Sequence, residues 1–301
     1  MIIADYHTHT AFSDDSKAPP KAMADQAVAL GLKMLCITDH MDYLYPKKYA
    51  PTSFVFDPDI YFTELTALKE IYKDRLELLI GIELGLRNEP GTREACAEYY
   101  RKLCADYPFD FVIGSTHVLN DLDPYYPEYW ETHSKKAGMR VYFESILENI
   151  GTYDMFQIYG HLDYLVRYLP KESSANASPS ATQPASAFVP SDTRDRICGK
   201  DYCFSDYKEL IAEILKKLIA SGRGIELNTS GYKYGLPFAH PRTQILKLYR
   251  ELHGEIITIG SDAHTPNHMA YDFLRARDLL FSLGFSYYTV YRGRKAVFLP
   301  L

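Results

Sequence analysis

The sequence predicts an α/β fold, a distorted (β/α)7 barrel of seven strands followed by a C-terminal β-hairpin. Short, apolar, β-rich runs alternate seven times with longer segments of helical period, which is typical of parallel strands joined by helices. All seven runs also end in polar side chains, and only a closed ring brings seven such ends together at one mouth. An open, doubly wound sheet remains the alternative, although it places its ligand site between only a few strands.

The individual elements follow from the periodicity and from capping and turn residues. Strands are predicted at Ile2–His7, Met34–His40, Leu78–Leu84, Phe109–His117, Met155–His161, Gly224–Asn228 and Ile256–Ser261. Helices are predicted at Pro20–Leu30, Pro58–Lys73, Arg93–Ala105, Lys135–Asn149, Tyr207–Ala220, Pro241–His253 and Met269–Leu283. The sequence Asp57-Pro58 is a typical helix start, and Gly31 lies where a C-terminal cap is expected. The alternation in Tyr287–Leu301 predicts the terminal hairpin, with Gly293 near its turn.

One stretch departs from this alternation. Residues 173–191 are rich in Ser, Ala and Pro and lack any periodicity, which predicts a flexible insertion within a single barrel domain of residues 1–301. The insertion follows the fifth strand, on the side where the polar strand ends converge. It is either a lid over a site there or a surface loop, since long loops cost little closure entropy.

Composition excludes several classes of protein. A chain of 301 residues with 47% hydrophobic residues can bury a full core. The net charge of −6 and the lack of a long basic run argue against a nucleic-acid partner. The apolar runs are far shorter than the roughly 18 residues of a membrane helix, and we expect no secretory leader before the first strand. Five cysteines do not suggest a disulfide framework, so a cytoplasmic protein is expected.

Groups that can bind a transition metal follow most of the predicted strands. They are His7, His9, His40, Glu83, His117, His161, Asp262 and His264. Two pairs of them are separated by a single residue, which places both members on the same side of a regular strand. A lone histidine at a strand end is more often a hydrogen-bonded loop residue, but eight coincident positions favour a multinuclear metal site. Imidazole and carboxylate ligands suit zinc, iron or manganese.

Hydrolysis is the chemistry expected of such a site. Glu83 has two oxygens and can bridge two ions, and two ions about 3.5–4 Å apart can share a hydroxide for in-line displacement. Phosphate esters and amides are both attacked in this way. Cationic side chains favour a phosphate ester, because Arg167 follows the fifth strand and Lys233 follows the sixth.

The segments that contain these residues resemble a known family. HTHTAFSDDS, ITDH, GIELG, GSTHV, GHLD, ELNTSG and GSDAHTP occur in this order and resemble the PHP (polymerase and histidinol phosphatase) superfamily. GHLDYLVRY, ELNTSGYKYG and GSDAHTP resemble its histidinol-phosphatase branch. The similarity runs from Asp5 to about Leu301 and is interrupted by the insertion. It implies a distorted seven-stranded barrel with a trinuclear metal centre.

The resemblance implies which residues bind each ion. The first ion would take His7, His9, Glu83 and Asp262, and the second would share Glu83 and add His117 and His161. The third would take His40, His264 and an acidic residue from the loop after His9. Spacing to the family's usual ligand favours Asp15, whereas polymerase-type members point to Asp14.

The resemblance also implies the activity. We expect a metal-dependent phosphomonoesterase that hydrolyses L-histidinol phosphate to L-histidinol and phosphate in histidine biosynthesis, by in-line attack of a metal-bridging hydroxide. The alternative is a related hydrolase acting on another phosphate ester, such as phosphotyrosine, a nucleotide or a nucleic acid. The residues expected to act in catalysis are Glu83, His117, Asp262 and Arg167. Arg167, Lys233 and Asp42 are expected to bind the substrate, with the lysine in the place of the branch's second arginine.

Overall fold

The computed structural model describes residues 1–170 and 202–301, so the insertion expected at 173–191 lies outside the described residues. Within them, parallel strands form one sheet that curls almost into a closed barrel, and helices lie between successive strands. A separate antiparallel hairpin follows at the C-terminus. The predicted (β/α) barrel with its terminal hairpin is therefore confirmed.

The strands of the barrel are all parallel to their neighbours. They are β1 (Ala4–Asp5), β2 (Met34–Ile37), β3 (His40–Met41), β4 (Glu77–Gly85), β5 (Phe111–Ser115), β6 (Ile158–Tyr159), β7 (Gly224–Asn228) and β8 (Ile257–Gly260). The sheet runs in the order β1-β2-β4-β5-β6-β7-β8, with β3 also paired to β4. Strands β2 and β3 occupy the same position in the barrel, because both pair with β4. Thr38 and Asp39 separate them. The eight strands thus fill seven positions.

The first and last strands meet and nearly close the ring. The Tyr6 amide donates to the carbonyl of Ile259 at 3.1 Å, and the Asp262 amide donates to the carbonyl of His7 at 2.8 Å. A further bridge joins Thr8 to Ala263. The closure therefore continues past the ends of both strands into the segments that contain the predicted ligands.

The helices lie outside the strands and cover the barrel. They are α1 (Pro20–Ala29), α2 (Pro58–Tyr72), α3 (Thr92–Asp106), α4 (Pro127–Thr132), α5 (Lys135–Thr152), α6 (Lys208–Ala220), α7 (Ser230–Lys233), α8 (Thr243–Glu251) and α9 (Phe273–Ser282). The predicted cap of α2 is confirmed, because the Asp57 carboxylate accepts from the Asp59 amide at 2.9 Å. Helix α9 begins later than predicted because Asp272, just before it, has a left-handed φ of 54°. Among residues 1–170 and 202–301, none of the helices combines the length and apolar character needed to cross a bilayer.

The C-terminal hairpin consists of β9 (Tyr287–Arg292) and β10 (Lys295–Pro300) and packs against the amino-terminal ends of the barrel strands. The Tyr6 hydroxyl donates to the carbonyl of Tyr291 at 2.8 Å, and the Tyr291 ring stacks on Phe111 at 5.0 Å. The hairpin turn contains Gly293, whose φ of 52° suits glycine. The hairpin lies opposite the carboxyl ends, which stay open at the other mouth.

Candidate metal centre

The carboxyl ends of the barrel strands bring the eight ligand candidates from the sequence into one cluster. His7 and His9 follow β1, His40 begins β3, Glu83 lies within β4, His117 follows β5, His161 follows β6, and Asp262 and His264 follow β8. Six of these side chains are buried, and His117 and His264 are partly exposed. Asp262 has a positive φ of 53°, an uncommon conformation for a residue other than glycine that often marks functional sites.

Glu83 lies at the centre of the cluster and uses both of its oxygens. Its Oε2 lies 3.1 Å from His7 Nε2 and 3.1 Å from His40 Nδ1. Its Oε1 lies 2.9 Å from His161 Nε2 and 3.4 Å from His117 Nε2, and accepts a hydrogen bond from Ser115 Oγ at 2.6 Å. His9 Nε2 is also 3.5 Å from Oε2, so each oxygen faces a different set of histidines, which is the arrangement a bridging carboxylate needs.

Asp262 and Asp15 complete the side of the cluster nearest the seam between β1 and β8. Asp262 Oδ1 lies 3.3 Å from His9 Nε2, and His264 Nε2 lies 3.0 Å from Asp15 Oδ2. The rings of His9 and His264 stack with centroids 4.1 Å apart. His40 Nε2 is 3.8 Å from the same Asp15 oxygen.

The two aspartates of the first loop point in different directions. Asp15 faces His40 and His264, whereas Asp14 Oδ2 accepts hydrogen bonds from the backbone amides of Ser53 and Phe54, the latter at 3.0 Å. The Asp14 carboxylate therefore fixes the neighbouring loop. Of the two residues that the sequence left open, Asp15 is the one that the fold places among the histidines.

Burial and proximity set the protonation of these groups. Burial lowers the pKa of His9, and the neighbouring His264 and His40 lower it further. Burial alone would raise the pKa of Glu83, but His7 and the other histidines outweigh it and hold the pKa well below its usual value. Burial likewise opposes ionisation of Asp262, and His7 again prevails and lowers its pKa. At neutral pH, His9 is thus neutral and both carboxylates are ionised, which are the forms that bind metal. Burial alone would lower the pKa of His7, but Glu226 and Glu83 outweigh it and raise the pKa, so a metal ion would have to displace a proton there.

The donor set fits several metal ions. Four groups of three ligand atoms each lie within 4.8 Å of one another, namely His9-His40-His264, His7-His9-Asp262, His7-Glu83-His161 and His40-Glu83-His117. Two donors on one tetrahedral ion, each about 2.1 Å from it, would lie about 3.4 Å apart. The distance of 3.3 Å between His9 Nε2 and Asp262 Oδ1 matches this spacing. The buried His9 Nε2 also has no hydrogen-bond partner in the described part of the chain, as expected of a metal-binding nitrogen.

A second layer of polar residues holds the ligands, and the sequence reasoning missed it. Glu226 in β7 is buried, and its Oε1 lies 2.7 Å from His7 Nδ1. Its Oε2 accepts from the backbone amide of His161 at 3.0 Å. A signal was present, because GIELN in β7 repeats the pattern of GIELG in β4, with one carboxylate inside an apolar strand. Glu226 orients His7 so that its Nε2 faces Glu83.

Asp39 supports the opposite side of the cluster in the same way. Its carboxylate accepts from the Thr10 amide at 2.6 Å and from Ser13 Oγ at 2.7 Å. Ser13 Oγ in turn lies 3.2 Å from His9 Nδ1. The break between β2 and β3, which includes Asp39, therefore has a structural role, because it points this carboxylate toward the loop after β1.

Replacing Glu226 with glutamine is expected to weaken metal binding about 10- to 100-fold, as for other groups that orient a metal-binding histidine. The amide keeps the shape but loses the negative charge beside His7 Nδ1. Metal retained per chain after competition with a graded series of chelator concentrations measures the effect. Glu213→Gln, on the exposed face of α6, is the matched control. Retention curves that coincide for Glu226→Gln and the wild type would contradict this role.

A cavity of about 440 Å³ opens beside the cluster, and Arg167 lies in its wall. Arg167 belongs to a short 3-10 turn, Tyr164–Tyr168, that follows β6. Its guanidinium lies over the rings of Tyr164, Tyr168 and Tyr234, at 5.1, 5.5 and 4.5 Å from their centroids. This stacking orients the guanidinium fork at the edge of the metal cluster, where an anion can be bound in bidentate fashion.

The other two predicted substrate contacts lie against metal-ligand candidates. Lys233 is half-buried, and its Nζ donates to the carbonyl of Asp262 at 3.1 Å. Asp42 Oδ2 lies 2.8 Å from His117 Nδ1, which orients the His117 ring toward Glu83. The other oxygen of Asp42 has no hydrogen-bond partner in the described part of the chain, and the residue lines the cavity.

This fold and this donor set define a class of protein, the barrel hydrolases that gather metal ions among histidines and carboxylates at the strand ends. The sequence pattern of the PHP domain matches residues 5–230, and the chain therefore belongs to the PHP domain family. The membership expected from the motifs is confirmed.

Curated relatives and solved structures agree with this membership. The chain is 27% identical to the histidinol-phosphatase of Lactococcus lactis subsp. lactis (strain IL1403) over 297 residues, which cover 97% of this chain and 95% of the relative. It is 29% identical to the probable histidinol-phosphatase of Clostridium acetobutylicum over 275 residues, 91% of each chain.

The crystal structure of the Lactococcus lactis histidinol phosphate phosphatase, complexed with zinc, L-histidinol and phosphate, has a TM-score of 0.79, with 98% of each chain covered at 26% identity. The putative histidinol phosphatase of Listeria monocytogenes has a TM-score of 0.70, with 90% of this chain and 99% of that chain covered, and at 17% identity it supports the fold alone.

Proposed function

We propose that this protein is a histidinol-phosphatase, a metal-dependent phosphomonoesterase that converts L-histidinol phosphate to L-histidinol and phosphate in histidine biosynthesis. One observation above all supports this function, namely that a cluster of histidines and carboxylates and the Arg167 guanidinium line the same cavity. The Lactococcus lactis relative, whose crystal structure contains zinc, L-histidinol and phosphate, supports the choice of substrate.

Three divalent ions, zinc, iron or manganese, fit the proposal. His7, His9, Glu83 and Asp262 would hold the first, Glu83, His117 and His161 the second, and His40, His264 and Asp15 the third. Such ions supply Lewis acidity toward a phosphoryl oxygen and an activated water at neutral pH. Glu83 is central because its two oxygens reach both His7 and His161.

The side chains of the cavity position the ester. Arg167 binds the phosphate in bidentate fashion and balances the charge that builds on its oxygens in the transition state. Lys233 adds positive charge behind Asp262, through the contact of its Nζ with the Asp262 carbonyl. Asp42 orients His117 and lines the cavity where the alcohol portion of the substrate would lie. The pocket thus binds the ester by both ends, with the phosphate nearest the cluster.

Three further expectations are part of the proposal. Residues 1–301 form a single barrel domain with 173–191 as an insertion, the protein acts in the cytoplasm, and its partner is a small phosphate ester with no nucleic acid bound. The net charge of −6 supports the last of these, because a surface with excess negative charge repels a nucleic-acid backbone.

Phosphate release from L-histidinol phosphate tests the function directly. The purified protein is supplied with zinc, iron or manganese, and a chelated sample serves as the control. We expect turnover that chelation abolishes and a kcat/KM well above that for phosphotyrosine peptides and mononucleotides. A higher kcat/KM for either of those esters would replace the proposed substrate. Turnover that persists in the chelated sample with no metal bound would overturn the metal-dependent mechanism.

A further inference from the structure

One wall of the cavity is built apart from the main core. Tyr45, Tyr49 and Val118 are buried together, and Phe54 and Tyr126 pack against them. The Tyr49 and Tyr126 rings stack with centroids 4.1 Å apart and planes 4° from parallel. These side chains come from the loops after β3 and β5, so the wall lies at the same mouth as the metal cluster.

Asp123 lies within this wall and lines the cavity. Its Oδ2 accepts from the Tyr45 hydroxyl at 2.6 Å, and its Oδ1 accepts from the Tyr125 amide at 2.8 Å. Its own backbone amide donates to the Tyr49 hydroxyl at 3.1 Å. Two contacts use only about half of the roughly four acceptor positions of a carboxylate, so Asp123 can accept a further donor.

The environment of the Asp123 charge differs from that of Asp15, Asp42 and Asp262, which also line the cavity, and Asp123 is partly buried whereas Asp14 is exposed. Asp15 and Asp262 face the histidine cluster, and Asp42 faces His117. Both donors to Asp123, in contrast, are uncharged. Burial raises the pKa of Asp123, and the hydrogen bond from Tyr45 only partly offsets this effect. A cationic group in the cavity would therefore compensate the charge of Asp123.

We propose that Asp123, oriented by Tyr45, binds the cationic nitrogen group of the alcohol portion of the substrate. The protein then selects phosphate monoesters of amino alcohols over esters that have no such group. At neutral pH the substrate's ammonium is largely protonated, and a flat imidazole suits the aromatic faces of Tyr45 and Tyr126. This inference rests on the proposed function, because it assumes that the phosphate lies at Arg167 and the alcohol portion extends toward Asp123.

Asp123→Asn tests the inference, since asparagine keeps the size of the side chain and an acceptor for Tyr45 but removes the charge. The kcat/KM values for L-histidinol phosphate and for phenyl phosphate, which has no nitrogen, are measured in parallel. We expect the ratio of the two values to fall about 50-fold, because a buried charge pair loses this much when one partner is neutralised. Tyr45→Phe keeps the charge but removes the donor, and it should reduce the same ratio less than about tenfold.

Asp121→Asn is the matched control, because Asp121 lies in the same loop with its side chain 65% exposed and pairs with Arg87 instead. It should leave the ratio unchanged. An unchanged ratio in Asp123→Asn would overturn the inference. If kcat/KM also fell equally on both esters, Asp123 would have a purely structural role. The wild-type values judge the proposed function separately, since a protein that prefers phenyl phosphate would fail as a histidinol-phosphatase whatever the variants do.

Discussion

Substitution of Glu83 by glutamine is expected to lower the turnover of L-histidinol phosphate by more than about 1,000-fold, since residues that only orient a ligand already cost about 10- to 100-fold. The Glu83 carboxylate lies within 3.5 Å of five histidines of the cluster through its two oxygens. An amide in its place removes the negative charge and turns an N–H donor toward nitrogens that should face a metal ion. Both the metal content and the activity should fall together.

Metal analysis of the purified variant and its phosphate release provide the two measurements. Glu77→Gln is the matched control, because Glu77 lies at the opposite end of the same strand, where it pairs with Arg292. That variant should keep its metal and its turnover. A Glu83→Gln protein that hydrolyses the ester at the wild-type rate would exclude Glu83 as a bridging ligand.

Substitution of Arg167 by alanine is expected to lower kcat/KM about 100- to 1,000-fold while the metal content stays at the wild-type level. The guanidinium lies over three tyrosine rings at the edge of the cluster, so under the proposed function it would meet the phosphate without reorganisation. Arg167→Lys should recover part of the loss, because lysine restores the charge but not the bidentate geometry. Glu83→Gln should lose metal, whereas Arg167→Ala should keep it. The metal content therefore distinguishes a defect in substrate binding from a defect in metal binding.

Arg101→Ala controls for the loss of an arginine, since Arg101 is an exposed residue of α3 that forms a surface ion pair with Asp154. Steady-state kinetics with L-histidinol phosphate would show unchanged kcat and KM for this variant. Unchanged kinetics in Arg167→Ala itself would instead assign the phosphate to another cation, with Lys233 as the first to examine.

The sequence predicted the fold well because local periodicity determines it. Most strands of the barrel lie within short apolar runs, and the long helices have a helical repeat, so both kinds of element are visible without tertiary information. The interruption between β2 and β3 was not predicted. It depends on Asp39, whose hydrogen bonds reach Thr10 and Ser13 in a loop that lies far from it in sequence.

The ligand candidates were visible for a related reason, since each lies at or near a strand end and the barrel brings those ends together. Supporting residues such as Glu226 were missed although GIELN repeats GIELG, because only the folded barrel shows that this carboxylate contacts His7. The pairing of Tyr45 with Asp123 was hidden in the same way. Which of Asp14 and Asp15 faces the histidines depends on the geometry of the loop. Asp14 instead accepts hydrogen bonds from the amides of Ser53 and Phe54.

The meeting of the first and last strands has a consequence for how the molecule keeps its shape. His7 and His9 come from one end of the chain and Asp262 and His264 from the other, and the two segments join through bonds such as Asp262 amide to His7 carbonyl. A metal ion held by His7, His9 and Asp262 would cross-link the first and last strand segments of the barrel. Any opening of the ring would then have to release the ion, so occupancy and closure would form one coupled equilibrium. Metal supply would thereby govern the integrity of the barrel as well as its chemistry.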